Sequence, residues 1–149
     1  MGAACTSEQN ELSQTVLDNH VEVFLQDIEG NTLFETPGFE TSNTRTFYML
    51  NGEAVENNHL NYDSPKMFVM RDDPRHMLLF INDNPSEAFP ETILKWNATE
   101  SDTLKAQFSY GSPQSEAYSR CKKLWLNGDL VWDGTLEGQI QPREVIIVK

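Results

Sequence analysis

The sequence predicts an all-β domain folded as a two-sheet sandwich, and three observations carry the prediction. Short apolar runs recur between turn-forming residues from Val21 to the end of the chain. Two dipeptides, Asn51-Gly52 and Asn127-Gly128, sit between such runs and suit the two positive φ angles of a type I′ hairpin. No stretch of about 12 residues after Val21 carries the three- and four-residue apolar spacing of an amphipathic helix. The chain has 149 residues, enough for one domain. A body of about 130 residues buries roughly two-thirds of the surface its unfolded chain exposes.

Residues 6–19 hold only Leu12, Val16 and Leu17 as large apolar side chains, too sparse to bury a helical face. Residues 1–19 are therefore expected as a polar tether, and 20–149 as a single β-sandwich domain. The first strand, 21–26, alternates Val21, Val23 and Leu25 with Glu22, Phe24 and Gln26, and meets a turn at Glu29-Gly30-Asn31. A short strand over 32–35 returns before Pro37-Gly38. Strands 46–50 and 53–56 flank the first Asn-Gly, and strands 66–71 and 76–82 flank Asp72-Asp73-Pro74, where proline presets φ for a turn.

After a loop over 82–90, strands follow at 92–96 and 103–109. In the second, Leu104, Ala106 and Phe108 share one face and Lys105 and Gln107 the other. Strands 117–126 and 130–132 surround Asn127-Gly128. Pro142 then introduces Val145-Ile146-Ile147-Val148, an unbroken apolar run expected as a strand covered on both faces. The total is roughly ten short strands, chiefly antiparallel because no crossover helix separates them, with a terminal strand free to lie parallel to its neighbour.

Eleven basic against 23 acidic residues give a formal net charge of −12. Such a chain repels a phosphate backbone and is expected to leave no basic patch to release its counterions, which makes nucleic acid and anionic membrane surfaces poor partners. The acidity is spread out, with Asp72-Asp73 its longest acidic run. No apolar run approaches the ~20 residues that span a bilayer. The start, Met1-Gly2-Ala3-Ala4-Cys5, sets two small residues before a cysteine and a polar stretch after it. That junction resembles the cleavage site of a bacterial lipoprotein and implies a lipid on Cys5, the membrane being reached only through that anchor. The rival is a Cys5–Cys121 disulfide, worth up to ~4.7 kcal/mol in a chain-entropy account, which requires the start of the chain to be pinned beside a strand. Under the lipid reading Cys121 is a lone buried thiol.

Several stretches in succession carry a broader resemblance. They are Asp27-Ile28-Glu29-Gly30-Asn31-Thr32-Leu33-Phe34 with Pro37, Thr92-Ile93-Leu94-Lys95-Trp96, and Asp102-Thr103-Leu104-Lys105-Ala106. Lys123-Leu124-Trp125-Leu126-Asn127-Gly128-Asp129-Leu130-Val131-Trp132 and the closing Val145-Ile146-Ile147-Val148-Lys149 complete the series. In this order the chain resembles lipoproteins of Bacteroidetes that have an immunoglobulin-like sandwich and no assigned activity. It departs from them at Thr32 and Phe34, where Asp and Leu are expected. The resemblance implies an antiparallel immunoglobulin-like fold and a lipid-anchored place in the cell envelope, facing the periplasm or the cell surface. It brings no catalytic residues.

Chemistry-bearing residues are sparse in pattern. His20, His59 and His76 are isolated in sequence, without the paired spacing of a metal site. Cys121 lies mid-strand, where a buried thiol is normally inert, and no nucleophile elbow or glycine-rich phosphate loop occurs. Asp83 between Asn82 and Asn84, and Asp72-Asp73 with Asp63, offer oxygens to calcium, but turn chemistry accounts for the same residues. The expectation is a non-enzymatic domain without cofactor or metal. In a two-residue turn at Asn127-Gly128, Trp125 opposes Leu130 and Lys123 opposes Trp132, so both tryptophans share one face. That face is expected to be core or covered by another segment, since large aromatics are mostly buried, the alternative being an exposed platform for an envelope protein or a glycan. A carbohydrate-binding module using Trp125 and Trp132, and a hydrolase built from scattered Asp, Glu and His, are the rival readings.

Overall fold

A computed structural model describes residues 16–110, 118–136 and 143–149. Among these the chain forms eleven strands and one short 3-10 turn, Thr41–Asn43, and the strands make two sheets packed on a shared core. The strands are β1 Val16–Asp18, β2 His20–Gln26, β3 Arg45–Leu50, β4 Glu53–Glu56, β5 Phe68–Arg71 and β6 His76–Phe80. They continue as β7 Glu91–Lys95, β8 Ser101–Tyr110, β9 Tyr118–Leu126, β10 Asp129–Asp133 and β11 Glu144–Val148. The larger sheet runs β10-β9-β8-β7-β3-β4, with β1 paired to β9, and the smaller runs β11-β2-β6-β5. The two-sheet sandwich expected from the turn spacing is what the chain forms.

Period-two alternation sends one side of each central strand inward. Val21, Val23 and Leu25 of β2, Met77 and Leu79 of β6, Leu94 of β7 and Leu104 and Ala106 of β8 are all sealed from water. Trp96 joins them just beyond β7, with Phe34 set edge-on to its ring at 6.0 Å. Both Asn-Gly turns take positive φ at both residues, 54° and 83° at Asn51-Gly52 and 50° and 93° at Asn127-Gly128. Asp73, in the turn between β5 and β6, also sits at positive φ.

Three expectations are corrected. The tether does not extend to residue 19: β1 pairs parallel with Tyr118, Ser119 and Arg120 of β9. The chain then crosses at Asn19 into the other sheet, where the Asn19 carbonyl accepts the Ile81 N–H at 2.8 Å. Arg143 holds this crossing, donating twice to the Asp18 carboxylate and through Nε to the His20 carbonyl. Three residues are too few to display a period, and their partner strand lies about a hundred residues away, so nothing local announces β1.

The stretch 32–35 is not a strand. Thr32 makes a single bridge to Gln26, and the chain then turns through a bond from the Thr36 N–H to the Leu33 carbonyl, with Glu35 at a φ of 68°. Phe34 is drawn into the core instead of alternating along a ladder.

The Val145-to-Val148 run is not covered on both faces. β11 lies at the edge of the smaller sheet, parallel to β2, with Val145 and Ile147 in the core and Ile146 and Val148 more than half exposed. Four consecutive β-branched residues favour the strand whichever face is wet, so their hydrophobicity overstated the cover.

Candidate functional site

The hairpin of β9 and β10 decides where the tryptophans point. Trp125 opposes Leu130 as the two-residue turn requires, but the register then slips between Leu124 and Trp125. Leu124 therefore opposes Trp132, and Lys123 opposes Asp133. The shared face of Trp125 and Trp132 is thus corrected: a bulge inserts one residue and sends the two rings to opposite sides of the sheet. Trp132 sits with buried Leu124, packs against the core and carries the Arg143 guanidinium over its ring at 5.2 Å. Trp125 faces outward with its cross-strand neighbour Lys105.

On that outer face Lys105 extends over Trp125, its ammonium 5.1 Å from the ring centroid, and 5.7 Å from that of Phe89. Phe89 comes from the loop before β7 and meets Trp125 edge-on at 5.8 Å, leaving about half of its own surface in water. Three cross-strand rows run along this part of the face: Glu91, Lys105 and Trp125; Glu56, Phe47, Ile93 and Thr103; and Arg45, Lys95 and Ser101. Arg45 lies over the Phe47 ring at 5.1 Å and makes a two-pronged ion pair with Glu56 at 2.8 and 2.9 Å. Each of that pair shifts the other's titration: the hydrogen bond from Arg45 lowers the Glu56 pKa, and the bond to Glu56 raises that of Arg45. At the end of the face a cleft of about 430 Å³ opens between Arg45, Lys95, Asn43, Asn97 and Ala98.

The opposite side of the same sheet carries a closed polar network. Asp102 is 5% exposed and accepts from Trp96 Nε1 at 2.7 Å, from Asn127 Nδ2 at 2.9 Å and from Lys149 Nζ at 3.0 Å. Lys149 also pairs with Glu100 at 3.3 Å. Burial alone lowers the Lys149 pKa, but its bond to Asp102 and the two carboxylate charges more than offset this and raise it.

The remaining candidates are engaged locally. His59 stacks on Tyr62, and His76 stacks on Phe24 with Nδ1 2.7 Å from the Pro74 carbonyl. Asn82 donates to the Met49 and Glu91 carbonyls, and its side-chain oxygen accepts the Asn84 N–H, which is turn chemistry. Asp72 pairs with Arg75. Among the described residues no three His, Cys, Asp or Glu side chains converge as a metal cage. Cys121 is a free, buried thiol whose pKa burial pushes up to about 12. Cys5 lies outside the described residues.

Reading the sequence alone missed Phe89, Phe47, Arg45 and Lys95 as parts of one face. Alternation within residues 103–109 did place Lys105 outward. Phe89 stands in a loop with no period to read, and the others are brought together by pairings between strands far apart in the chain. No family model, no curated protein and no solved structure matches this chain.

Proposed function

We propose that the chain is a non-catalytic binding domain of the bacterial cell envelope, held by a lipid on Cys5, that meets its target with the outer face of the larger sheet. The observation that supports a binding face is the orientation of the tryptophans. Trp96 and Trp132 turn to the core, whereas Trp125 turns outward beside half-exposed Phe89 and under the Lys105 ammonium. Aromatic rings framed by a cation offer stacking area together with a polar handle, the combination that suits both glycan and protein targets. The support for the anchor is the Ala3-Ala4-Cys5 junction followed by a polar segment.

Two measurements test the two halves. Mass spectrometry of the product of the native gene should find an acylated N-terminal cysteine in the membrane fraction, and Cys5→Ala should release the protein. Recovery of unlipidated protein from the soluble fraction overturns the anchor. For the face, Trp125→Ala should keep its urea midpoint and lose retention on immobilised envelope glycans or proteins. Retention equal to that of the unmodified chain overturns the assignment of the face. A carbohydrate target is favoured by Phe89, which with Trp125 replaces the expected pairing with Trp132.

A further inference from the structure

We infer that the ligand of this face is an anionic glycan, one whose sugar rings carry carboxylates, gripped by the cleft between Arg45 and Lys95. The inference rests on the binding-face reading above and names its ligand class.

Charge complementarity carries it. In the whole chain acidic residues outnumber basic ones 23 to 11, yet the three cross-strand rows hold Arg45, Lys95 and Lys105 against Glu56 and Glu91, and the next row along adds the pair Lys123 and Asp133. At physiological ionic strength a charge is screened over about 8 Å, so a bound group senses these cations more than the distant acids. Two of the three are already occupied within the protein. Lys105 lies over the Trp125 and Phe89 rings, and Arg45 is held by Glu56. Among the described residues Lys95 makes one long 3.5 Å contact, with the Ala98 carbonyl, too weak to satisfy an ammonium with three donors. It therefore has donors to give a carboxylate.

The cleft also contains amides. Asn97 Nδ2 donates to the Gly38 carbonyl at 2.8 Å while its oxygen accepts from Thr99 and Glu100, which fixes this wall of the cleft. Asn43 lines another wall. A volume of about 430 Å³ lies in the usual range for small-ligand sites of roughly 300–1,000 Å³. Beyond the cleft, Phe47 and Ile93 and then Trp125 with Phe89 continue the face, a path along which apolar sugar faces can stack. Glu56 acts as an internal competitor: it holds the Arg45 fork that a ligand carboxylate would otherwise take.

The test uses the full chain in isothermal titration with three probes: an oligomer of galacturonate, a neutral dextran oligomer of equal length, and inorganic polyphosphate. Galacturonate should bind and dextran should not. Lys95→Ala should weaken galacturonate binding by about tenfold or more, the worth of one charge-assisted hydrogen bond. Glu56→Gln should tighten it, because the Arg45 fork is released. Thermal melts of both variants must match the unmodified chain for the comparison to count. Equal binding of dextran and galacturonate, both lost in Trp125→Ala, overturns the anionic ligand and leaves the binding face standing. Polyphosphate bound as tightly as galacturonate overturns a sugar ligand, since rings then contribute nothing. Binding of no glycan, with Trp125→Ala still losing an envelope protein, overturns the glycan and supports a protein target. No dependence on Trp125 for any target removes the face itself.

Discussion

Two tryptophans of this molecule stand in nearly the same company on opposite sides of one sheet. Trp96 inside has Phe34 edge-on at 6.0 Å, and Trp125 outside has Phe89 edge-on at 5.8 Å. Each also has a lysine nearby, Lys149 bonded to Asp102 in the first case and Lys105 over the ring in the second. The difference is the carboxylate. Inside, Asp102 gathers the indole N–H, the Asn127 amide and the Lys149 ammonium, so each of these three donors has a fixed partner. Outside, the cation rests on the rings themselves, and Phe89 remains about half in water. Burial demands a closed set of partners, whereas an exposed cluster tolerates an open one and thereby keeps capacity for a ligand.

The largest effects should come from the inner side. Trp96→Ala removes a fully buried ring and should cost about 3–5 kcal/mol, enough to prevent folding of a marginal domain. Asp102→Ala strands the indole N–H and part of the Lys149 charge and should cost about 3–5 kcal/mol, measured as a fall in the urea midpoint. If the Asp102 variant melts like the unmodified chain, the contrast between a closed and an open cluster is lost.

Changes at the glycines should be smaller. Gly128 has open space where a Cβ would stand but a φ of 93°, so Gly128→Val tests backbone strain alone, at about 1–3 kcal/mol. At Gly134 a Cβ would fall 2.3 Å from the Trp132 ring, so Gly134→Ala should destabilise by a comparable ~1–3 kcal/mol through overpacking. An unchanged midpoint there would mean that Trp132 swings out freely, against its assignment to the core.

A pH scan sharpens the same contrast. The Cys121 thiol titrates near 9 when unfolded and at about 12 when buried. The folded state holds the thiol neutral while the unfolded state ionises, so its contribution to stability is complete below pH 9 and is lost as pH rises toward 12. Cys121→Ala should flatten that part of the stability curve, and an equally steep loss in the variant would assign it to other groups. The smallest effect belongs to Trp125→Ala, expected within about 1 kcal/mol because the ring is partly in water, with its consequence read in binding.

Much of the architecture was legible in local chemistry. The Asn-Gly pairs required positive φ, and both hairpins formed where the dipeptides stand. The alternation at 103–109 set Leu104 and Ala106 inward and Lys105 outward. The site was less legible. A single inserted residue, Val131 in β10, reverses which side a tryptophan faces, and nothing in the local sequence of the hairpin marks where the register slips. Likewise β1 is too short to show a period, and the wet side of β11 looks the same in sequence as a dry one.

The sequence by itself therefore determined the class of fold, the turns and the inward set of most central strands, because φ preference and period-two alternation act within a few residues. Only the tertiary structure decided that Trp125 and Trp132 part company, that Arg45, Lys95 and Phe89 share a surface with Trp125, and that the C-terminal Lys149 closes on Asp102. These depend on register and sheet order, which are settled by contacts between segments distant in the chain, where a shift of one residue exchanges inside for outside.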